Sequence, residues 1–576
     1  MFKLLKYLKG PAVLFAILAP VLMVIEVSMD LMLPTLLSEL IDIGIVNQDL
    51  DFVLNTGGRM LLFAVIGLIG GVGCGIFATI SAIQFGERLR EALYEKIQRL
   101  SYAEINEFKT ASLITRLTND ISQVQMMFMM SLRILVRAPL LCIGGLFMAS
   151  RLSPELSVVF LVGIPIILVV VGFILWKSFP MFKVMQERVD RVNGVMRENL
   201  LGMRVIKAFT LEKKQEQKFN DANEDLMMQS IEAQKNMLIL NPVVTLVVNF
   251  SIVAVLWYGG YLAEAGLLET GRIMAFVNYL TQIMMALMMV VRILMNFSRA
   301  KVSADRLNEV LNVVSSIQET ETQTELKDFD IEWNHVDFRY HENGDAVLED
   351  ISFKIKEGQH VGIIGGTGSG KSSLVQLMSR LYDVTSGEIL IGGENIKNLK
   401  IKDLRDAVGV VSQENILFSG TLASNIKFGF QEASADAIEQ AAIDAQAEEF
   451  IQQKEDKFET NVEQRGKNLS GGQKQRLSIA RTLIRQPKIL ILDDSSSALD
   501  MKTEKKLQQS IKSRMETSTV IQIAQRISAV RDADQIIVLD EGKISGIGNH
   551  ETLLKTNEIY RSLAISQLGE EVINHE

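Results

Sequence analysis

The chain has 576 residues, of which 48% are hydrophobic and 22% charged, and its formal net charge is −9. It is too long for one compact core and too apolar for an ordinary soluble protein, so we expect at least two domains. The acidic balance argues against a nucleic-acid-binding surface. Two cysteines, Cys74 and Cys142, are too few for a disulfide framework or a Cys-rich zinc site.

Apolar stretches long enough to cross a membrane fill the first half of the chain. A membrane-spanning helix needs about 20 mostly apolar residues. Windows of that kind without a charged residue lie at 60–86, 156–176, 236–263 and 273–291, and two stretches with charged insertions lie at 11–35 and 126–150. We therefore predict an all-α polytopic membrane domain of six transmembrane helices.

Charges beside these stretches set the predicted orientation. Lys3, Lys6 and Lys9 precede the first stretch, whereas 34–57 contains no Lys or Arg. Because basic loops stay on the cytoplasmic side, an even number of spans places both termini in the cytoplasm. We expect a multi-pass protein of the cell membrane.

Two long connections between the predicted spans have helical periodicity. At 87–125 and 177–235, charged residues of both signs are mixed with apolar residues at spacings of three and four. Helices of this length run well beyond a bilayer. We therefore predict long cytosolic extensions that reach the second half of the chain.

Four charged residues inside the predicted spans have alternative interpretations. Glu26 and Asp30 lie one helical turn apart in the first span, where a desolvated carboxylate is costly unless it faces a cavity. In a cavity they attract cationic compounds. Equally, Glu26 or Asp30 pairs with Arg133 or Arg137 of the third span, or lies near the outer headgroups because the span tilts. The sequence leaves these alternatives open.

The second half of the chain contains a phosphate-binding sequence in its expected context. The strand-like HVGIIG leads into 365–372, which fits G-x-x-x-x-G-K-[ST] and continues into a helical pattern. Glycines let consecutive backbone amides face one concavity, Lys371 can reach the β- and γ-phosphates, and the Ser372 hydroxyl can ligate Mg²⁺. The predicted binding residues of this loop are Gly365, Gly366, Thr367, Gly368, Ser369, Gly370, Lys371, Ser372 and Ser373. Further on, the apolar run ILIL ends at Asp493, which we predict holds magnesium through water.

The sequence LSGGQ at 469–473 stands between these two elements and precedes a helical run. With it, the chain resembles a half-transporter of the ATP-binding-cassette (ABC) exporter family along essentially its whole length. The resemblance implies an α/β P-loop nucleotide-binding domain fused to the membrane helices, with ATP and Mg²⁺ as ligands. We predict a transmembrane domain at 1–313, a linker at 314–328 and an ABC nucleotide-binding domain at 329–576.

The resemblance also implies roles for residues outside the P-loop. In this family two nucleotide-binding domains meet head to tail, and each ATP lies between the P-loop of one domain and the LSGGQ of the other. The residues that serve the partner's ATP are Ser470, Gly471, Gly472 and Gln473. Tyr340 corresponds to the aromatic residue that stacks on adenine, with an edge-strand or core tyrosine as the alternative. Gln413 corresponds to the glutamine that contacts Mg²⁺ and the attacking water, and Asp500 to the aspartate that crosses the dimer boundary. The segments 101–108 and 207–219 match loops that contact the nucleotide-binding domains.

Three positions depart from the family pattern. Asp494 stands where a glutamate orients the attacking water, and its shorter side chain retracts the carboxylate by roughly 1.5 Å, which can cost about a hundredfold in rate. Gln525 replaces a histidine and keeps a hydrogen-bond donor without a cationic imidazole, and Gln464 replaces a glutamate that contacts the membrane helices. The pattern resembles the impaired subunit of heterodimeric multidrug exporters, which binds ATP but cleaves it slowly. The alternative is a homodimer that tolerates both changes at the reacting phosphate.

Methionines are concentrated in the predicted membrane domain, with clusters at 126–130 and 284–289. Flexible thioethers suit a surface that accepts apolar molecules of different shapes, although methionine is also common between packed or lipid-facing helices. We predict export of hydrophobic or amphipathic small molecules by this chain and a second, homologous half-transporter in a lipid bilayer. A lipid flippase of the same architecture and a nucleotide-gated regulatory or channel-like subunit are the alternatives.

Overall fold

The computed structural model describes residues 2–318, 326–341, 343–495 and 499–569, without the side chains of Phe179, Arg292, Leu294 and Met295. The chain divides into two units: Met1–Gln98 with Ala111–Val313, which we call the helical unit, and Arg99–Thr110 with Val314–Glu576, which we call the α/β unit. The short segment Arg99–Thr110 thus packs with the α/β unit, although it lies between helices of the helical unit in sequence.

Among the residues that the structure describes, ten α-helices precede the first strand. They are α1 (Pro11–Glu39), α2 (Leu50–Gln98), α3 (Tyr102–Phe108), α4 (Thr110–Thr115), α5 (Ile121–Leu152), α6 (Val158–Leu201), α7 (Met203–Ala208), α8 (Glu212–Leu238), α9 (Leu240–Glu264) and α10 (Thr270–Asn312). A short 3₁₀ helix, Phe2–Tyr7, precedes α1, and π-helical turns at Leu40–Ile45 and Arg116–Asp120 extend α1 and lead into α5. The helix α3 belongs to the α/β unit.

Within the described residues, six helices are long and apolar enough to cross a membrane, which confirms the predicted number. They are Pro11–Ile45, Leu50–Gln98, Thr110–Leu152, Val158–Leu201, Glu212–Glu264 and Thr270–Asn312. Their lengths, 35 to 53 residues, exceed the roughly 20 residues that cross a bilayer. This agrees with the predicted helical extensions beyond the membrane. The chain is therefore a multi-pass membrane protein.

Small residues and a buried tyrosine hold α1 among its neighbours. A Cβ on Gly70 would lie 3.0 Å from a backbone oxygen of α1, and a Cβ on Gly71 would lie 2.9 Å from the carboxyl carbon of Glu26. The missing side chains thus let α2 approach α1 and place Glu26 against α2. The hydroxyl of Tyr279 on α10 donates a hydrogen bond to the Leu31 carbonyl at 2.5 Å, which ties α10 to α1.

The α/β unit alternates strands and helices along the rest of the chain. Its strands are β1 (Ile331–Phe338), β2 (Leu348–Ile355), β3 (His360–Gly365), β4 (Ser386–Ile391), β5 (Glu394–Asn395), β6 (Val408–Val411), β7 (Gly420–Thr421), β8 (Asn461–Val462), β9 (Ile489–Asp493), β10 (Thr519–Ala524), β11 (Gln535–Asp540) and β12 (Lys543–Gly548). Its helices after β3 are α11 (Lys371–Met378), α12 (Ile401–Ala407), α13 (Leu422–Lys427), α14 (Ala435–Asp444), α15 (Glu448–Gln452), α16 (Gly471–Leu483), α17 (Met501–Arg514), α18 (Ile527–Val530), α19 (His550–Thr556) and α20 (Glu558–Leu568). Short 3₁₀ helices lie at Ile396–Asn398, Lys457–Glu459 and Gln464–Gly466.

A six-stranded sheet forms the centre of the α/β unit, in the order β12-β11-β3-β10-β9-β6. The strands from β11 to β6 are parallel, and β12 is antiparallel to β11. In register, Ala524 lies opposite Ile364, and Ile523 lies opposite Asp493. The ends of β3, β10 and β9 therefore meet at one edge, where parallel sheets bind their ligands. A second, antiparallel sheet has the order β2-β1-β4-β5. The predicted fold class is confirmed.

Candidate nucleotide-binding site

The predicted phosphate-binding loop connects β3 to the start of α11. Gly368 and Gly370 adopt φ angles of +85° and +96°, a region that glycine enters without strain. Gly365 has no room for a side chain, because a Cβ there would lie 2.2 Å from the Leu539 carbonyl oxygen. The amine of Lys371 donates to the carbonyl oxygens of Gly365 at 2.9 Å and Gly366 at 2.6 Å. Burial lowers the pKa of this lysine, although Asp493 and Asp494 oppose the shift.

Thr367 and Ser372 are exposed at this loop, whereas Ser369 and Ser373 are buried. Tyr340 approaches from the segment after β1: its hydroxyl hydrogen-bonds with the Ser373 hydroxyl at 2.9 Å and donates to the Gln376 amide oxygen at 3.0 Å. The Tyr340 side chain is still 38% exposed, so a ring face is available for a base. Its hydroxyl thus contacts the helix α11, which begins at the end of the predicted loop.

Two acidic residues stand at the end of β9. Asp493 is only 8% exposed, and burial together with the neighbouring charge of Asp494 raises its pKa to about 6, against the influence of Lys371. Asp494 adopts a φ of +47°, which aspartate tolerates better than most residues. Burial also raises the pKa of Asp494, while Arg526 and Lys371 lower it. The two carboxyl groups therefore share one partly desolvated surrounding, in which burial outweighs the nearby cations and both pKa values are raised.

Gln525 and Gln413 follow two other strands of the same sheet edge, β10 and β6. Both side chains are exposed. The Gln525 carbonyl accepts a hydrogen bond from the Gln567 amide at 2.8 Å, and the Gln567 oxygen accepts one from the Ile527 backbone amide at 2.8 Å. The helix α20 therefore holds the turn that carries Gln525, a support that no motif in the sequence marks.

The segment 469–473 lies in a different part of the α/β unit. Ser470 caps α16, because its backbone amide donates to the Gln473 side chain at 3.0 Å and its hydroxyl accepts from the Gln473 amide at 3.4 Å. Gly471 is exposed, and Gly472 is half-buried. Leu477 of α16 packs in a separate hydrophobic cluster from Leu374 of α11. Across the described residues, no hydrogen bond or ion pair joins 469–473 to the P-loop.

Asp500 and Gln464 lie on the surface of the α/β unit. Asp500 caps α17, accepting hydrogen bonds from the backbone amides of Lys502 at 3.1 Å and Thr503 at 2.9 Å, and from the Thr503 hydroxyl at 2.7 Å. These hydrogen bonds, first of all that from the Thr503 backbone, hold the pKa of Asp500 below its usual range. The preceding positions 496–498 lie outside the described residues.

A chain of aromatic rings extends from Tyr340 away from the loop. Tyr382 packs edge-on against Tyr340 with ring centroids 5.2 Å apart, and Tyr102 of α3 packs edge-on against Tyr382 at 5.9 Å. The Asn106 side chain donates a hydrogen bond to the Tyr382 hydroxyl at 2.8 Å. These contacts confirm that 101–108 docks on the α/β unit, whereas docking of 207–219 stays a prediction. Tyr382 lies in no motif and was not among the predicted site residues.

The chemistry of the predicted metal ligands fits a magnesium ion that enters with a nucleotide. Ser372 offers a hydroxyl, Gln413 an amide oxygen and Asp493 one carboxylate. In the part of the chain that the structure describes, no group of three His, Cys, Asp or Glu side chains could hold a metal by itself. Mg²⁺ commonly binds with one or two carboxylates and completes its octahedron with phosphates and water.

Comparisons with known proteins agree with this geometry. Residues 16–287 match the family described as the ABC transporter transmembrane region, and residues 348–497 match the family described as ABC transporter. The fold is similar to a bacterial Atm1-family ABC exporter whose structure was solved with ATP bound, with a TM-score of 0.79, 23% identity and 98% of each chain covered.

Relatives along the full length of the chain are ABC transporter ATP-binding proteins. The uncharacterized ABC transporter ATP-binding protein YfiB of Bacillus subtilis is 40% identical over 571 residues, 99% of each chain. The uncharacterized ABC transporter ATP-binding protein MT1311 of Mycobacterium tuberculosis is 37% identical over 544 residues, 93% of each chain. The chain therefore belongs to the ABC transporter family, with the transmembrane region and the ATP-binding domain fused in one polypeptide.

Proposed function

We propose that this chain is a subunit of an ATP-driven exporter in a cell membrane, with both termini in the cytoplasm. The observation that supports this function is the order of the predicted groups along one sheet edge: the P-loop after β3, Gln525 after β10, Asp493 at the end of β9 and Gln413 after β6. The same chain carries six membrane-spanning helices. The proposed domains are 1–313, a linker at 314–328 and 329–576; within the linker, 319–325 lies outside the described residues.

In the proposed site, each residue has a defined task toward MgATP. The P-loop amides and Lys371 bind the phosphates, and Tyr340 stacks on adenine. Ser372, Gln413 and Asp493 would hold Mg²⁺, which neutralises charge on the β- and γ-phosphates. Lys371 donates to its own loop, so it exchanges these carbonyl partners for phosphate oxygens when ATP binds.

A second nucleotide-binding domain completes the proposed site. The exposed segment at the start of α16 packs apart from the P-loop. Its capping bonds engage the backbone amides of Ser470 and Gln473 and leave those of Gly471 and Gly472 to face another molecule. Helix N-termini favour phosphate through these amides and the helix dipole. We therefore assign Ser470, Gly471, Gly472 and Gln473 to the partner's ATP, and Asp500 to the boundary between the two domains.

We assign slow hydrolysis to this chain's own pocket and propose a heterodimer. Asp494, which directly follows β9, has a side chain one methylene shorter than the glutamate of the family pattern. Gln525 has an amide in place of the histidine imidazole of that pattern, and an amide does not titrate. The sequence keeps the residue types that we propose for binding ATP, including Tyr340, Lys371 and Ser372. A homologous partner with a glutamate and a histidine at these two positions would supply the faster pocket, which this chain's LSGGQ completes.

The proposed cargo is a hydrophobic or amphipathic compound. A cavity of about 460 Å³ in the helical unit is lined by methionines of α10, Met284, Met285, Met288 and Met289, opposite α9. Thioether side chains adapt to differently shaped apolar surfaces. This cavity supports the proposed class of cargo.

The decisive experiment measures ATP turnover by the purified full-length chain alone, with a partner homologue, and as the double variant Asp494→Glu with Gln525→His. We expect slow turnover by the chain alone and an increase of about a hundredfold or more in the double variant. Adding Lys371→Ala to the double variant should remove the gain. If the unaltered chain alone turns over ATP as fast as the pair, the proposed impairment is wrong.

The same preparations separate the remaining candidates for function. Stimulation of turnover by purified lipids and not by drugs would favour a lipid flippase. An ATP-gated current across a planar bilayer would favour a channel-like subunit, because an exporter shows no such conductance.

A further inference from the structure

Two cavities in the helical unit share the same pair of arginines. The larger has a volume of about 830 Å³ and lies among α1, α2 and α5, where Glu26, Asp30, Arg133 and Arg137 provide its charged groups. The smaller has a volume of about 390 Å³ and is lined by Met23, Met129, Met130, Ile134 and Met289 beside the same two arginines. A charged compartment and a methionine-lined compartment therefore adjoin at α5.

Arg137 is already committed to the two carboxylates of α1. One guanidinium nitrogen of Arg137 pairs with Glu26, and the other pairs with Asp30 at 3.0 Å. This observation confirms ion pairing with α1 and identifies Arg137 as the partner. A cationic compound would have to displace this guanidinium before it reached either carboxylate.

Arg133 lies one turn before Arg137 on the same helix, and its side chain is exposed to both cavities. Among the described residues no carboxylate or other acceptor bonds to it. The helix is a membrane span, where an arginine that faced hydrocarbon would be very costly. Arg133 therefore offers five unengaged N–H donors inside a cavity.

We infer that Arg133 binds the anionic headgroup of an amphipathic cargo whose apolar part lies among the methionines of the smaller cavity. This inference deepens the proposed export function and rests on it. Carboxylate, sulfate and phosphate oxygens match the planar guanidinium through paired hydrogen bonds. Glu26 keeps a second, buried carboxylate oxygen without a hydrogen-bond partner, and its negative charge favours a singly charged headgroup over a multiply charged one.

Equilibrium binding tests the inference without requiring hydrolysis. The full-length chain in phosphatidylcholine nanodiscs, free of nucleotide, is titrated with a fluorescent long-chain carboxylate, with its methyl ester and with the amine of the same chain length. We expect the carboxylate to bind at least about tenfold more tightly than the ester, and Arg133→Gln to remove that preference. Arg133→Lys should keep only part of it, because the charge remains while the paired hydrogen bonds are lost. Arg151 is an exposed arginine at the end of the same helix, and Arg151→Gln should leave the preference unchanged.

Several results would overturn the inference. Equal affinities for carboxylate and ester in the unaltered chain would do so, as would tighter binding of the amine or a carboxylate preference that survives Arg133→Gln. Ester binding shows that each variant is folded. If Arg133→Gln binds the carboxylate normally while ATP-driven transport proceeds, the inference fails and the export function stands. If the carboxylate binds as expected but no transport occurs, the export function fails alone.

The source of the anion is resolved by competition in the same assay. If phosphatidylglycerol added to the nanodiscs displaces the carboxylate in the unaltered chain and not in Arg133→Gln, a membrane lipid supplies the headgroup. If phosphatidylglycerol does not compete, a non-lipid amphipath is the cargo. Both results support the arginine as the binding group.

Discussion

Replacing Glu104 by glutamine should loosen the docking of α3 on the α/β unit. Glu104 is only 8% exposed. One of its carboxylate oxygens accepts hydrogen bonds from the Ser101 amide at 2.8 Å and the Ser101 hydroxyl at 2.5 Å, and the other accepts from the Ser316 amide at 3.0 Å. A glutamine must turn its NH₂ group toward one of these donors. Of these bonds, the one from Ser316 joins α3 to another segment. A hydrogen bond to a charged group is worth about 1.5–3 kcal/mol, and an NH₂ group turned toward a buried donor leaves that donor unsatisfied. We therefore expect a loss of about 3 kcal/mol in docking.

Hydrogen exchange of the α3 amides measures this loss directly. A cost of about 3 kcal/mol corresponds to roughly a hundredfold faster exchange. Glu107→Gln on the same helix is the matched control, because Glu107 is exposed. Equal exchange rates in the two variants would refute this role of Glu104, as would exchange in Glu104→Gln within about twofold of the unaltered chain.

The docking of α3 should also depend on pH in a defined direction. Burial raises the pKa of Glu104, but the hydrogen bonds from Ser101 and Ser316 outweigh it and leave the pKa lowered. A carboxylate with a lowered pKa in the folded state contributes stability that is present above its unfolded pKa, about 4.3, and is lost as the pH falls through the lowered value. Exchange at α3 should therefore be insensitive to this group above about pH 4.3 and accelerate below it. Glu104→Gln should remove the dependence.

Three further outcomes follow from the nucleotide site. Tyr340→Ala should weaken ATP binding about tenfold through lost stacking, whereas Tyr340→Phe should stay within about threefold; equal effects, measured by titration with a fluorescent ATP analogue, would contradict the stacking role. The pKa of Asp493 is raised to about 6, so below that pH the carboxyl must lose its proton before it can bind Mg²⁺. The Mg²⁺-dependent affinity for ATP should therefore fall about tenfold per pH unit below 6 and be constant above it. The same pH dependence in Asp493→Asn would show that Asp493 is not the titrating group. Gly365→Ala should lower the unfolding temperature by several degrees, since its Cβ would lie 2.2 Å from the Leu539 carbonyl oxygen, while Gly366→Ala, with open space around its Cβ, should not; similar melting curves would show that the loop can move.

Local sequence patterns were sufficient to predict the fold class and the P-loop element. Apolar windows of bilayer length predicted the six spans, because the length and the composition of a segment are local properties that identify a membrane-spanning helix. The P-loop was predicted because its glycine spacing serves the backbone conformation itself, as the positive φ angles of Gly368 and Gly370 show. Asp493 followed from a wholly apolar strand, a pattern typical of the centre of a parallel sheet.

Contacts between distant segments were beyond the sequence. Helical spacing predicts that Glu26 and Asp30 share one helix face, and that Arg133 and Arg137 share another. Which arginine pairs with the carboxylates depends on how α5 is rotated against α1, and packing sets that rotation. In the structure Arg137 pairs with both. In the same way, Tyr382 lies in no motif, and its meeting with Tyr340 and Asn106 depends on how three separate segments fold together. Such pairings carry no periodic signal that a single sequence reveals.

The packing of α3 has a practical consequence for work on fragments. A soluble piece cut to contain only 329–576 would lack Tyr102, Asn106 and Ala103, which lie against the α/β unit in the intact chain. Its Tyr382 hydroxyl would then lose a donor, and the ring beneath Tyr340 would lose a flanking aromatic. Nucleotide affinities measured on that piece would describe an altered surface, so a faithful minimal protein must retain residues 99–110, either tethered or supplied as a peptide.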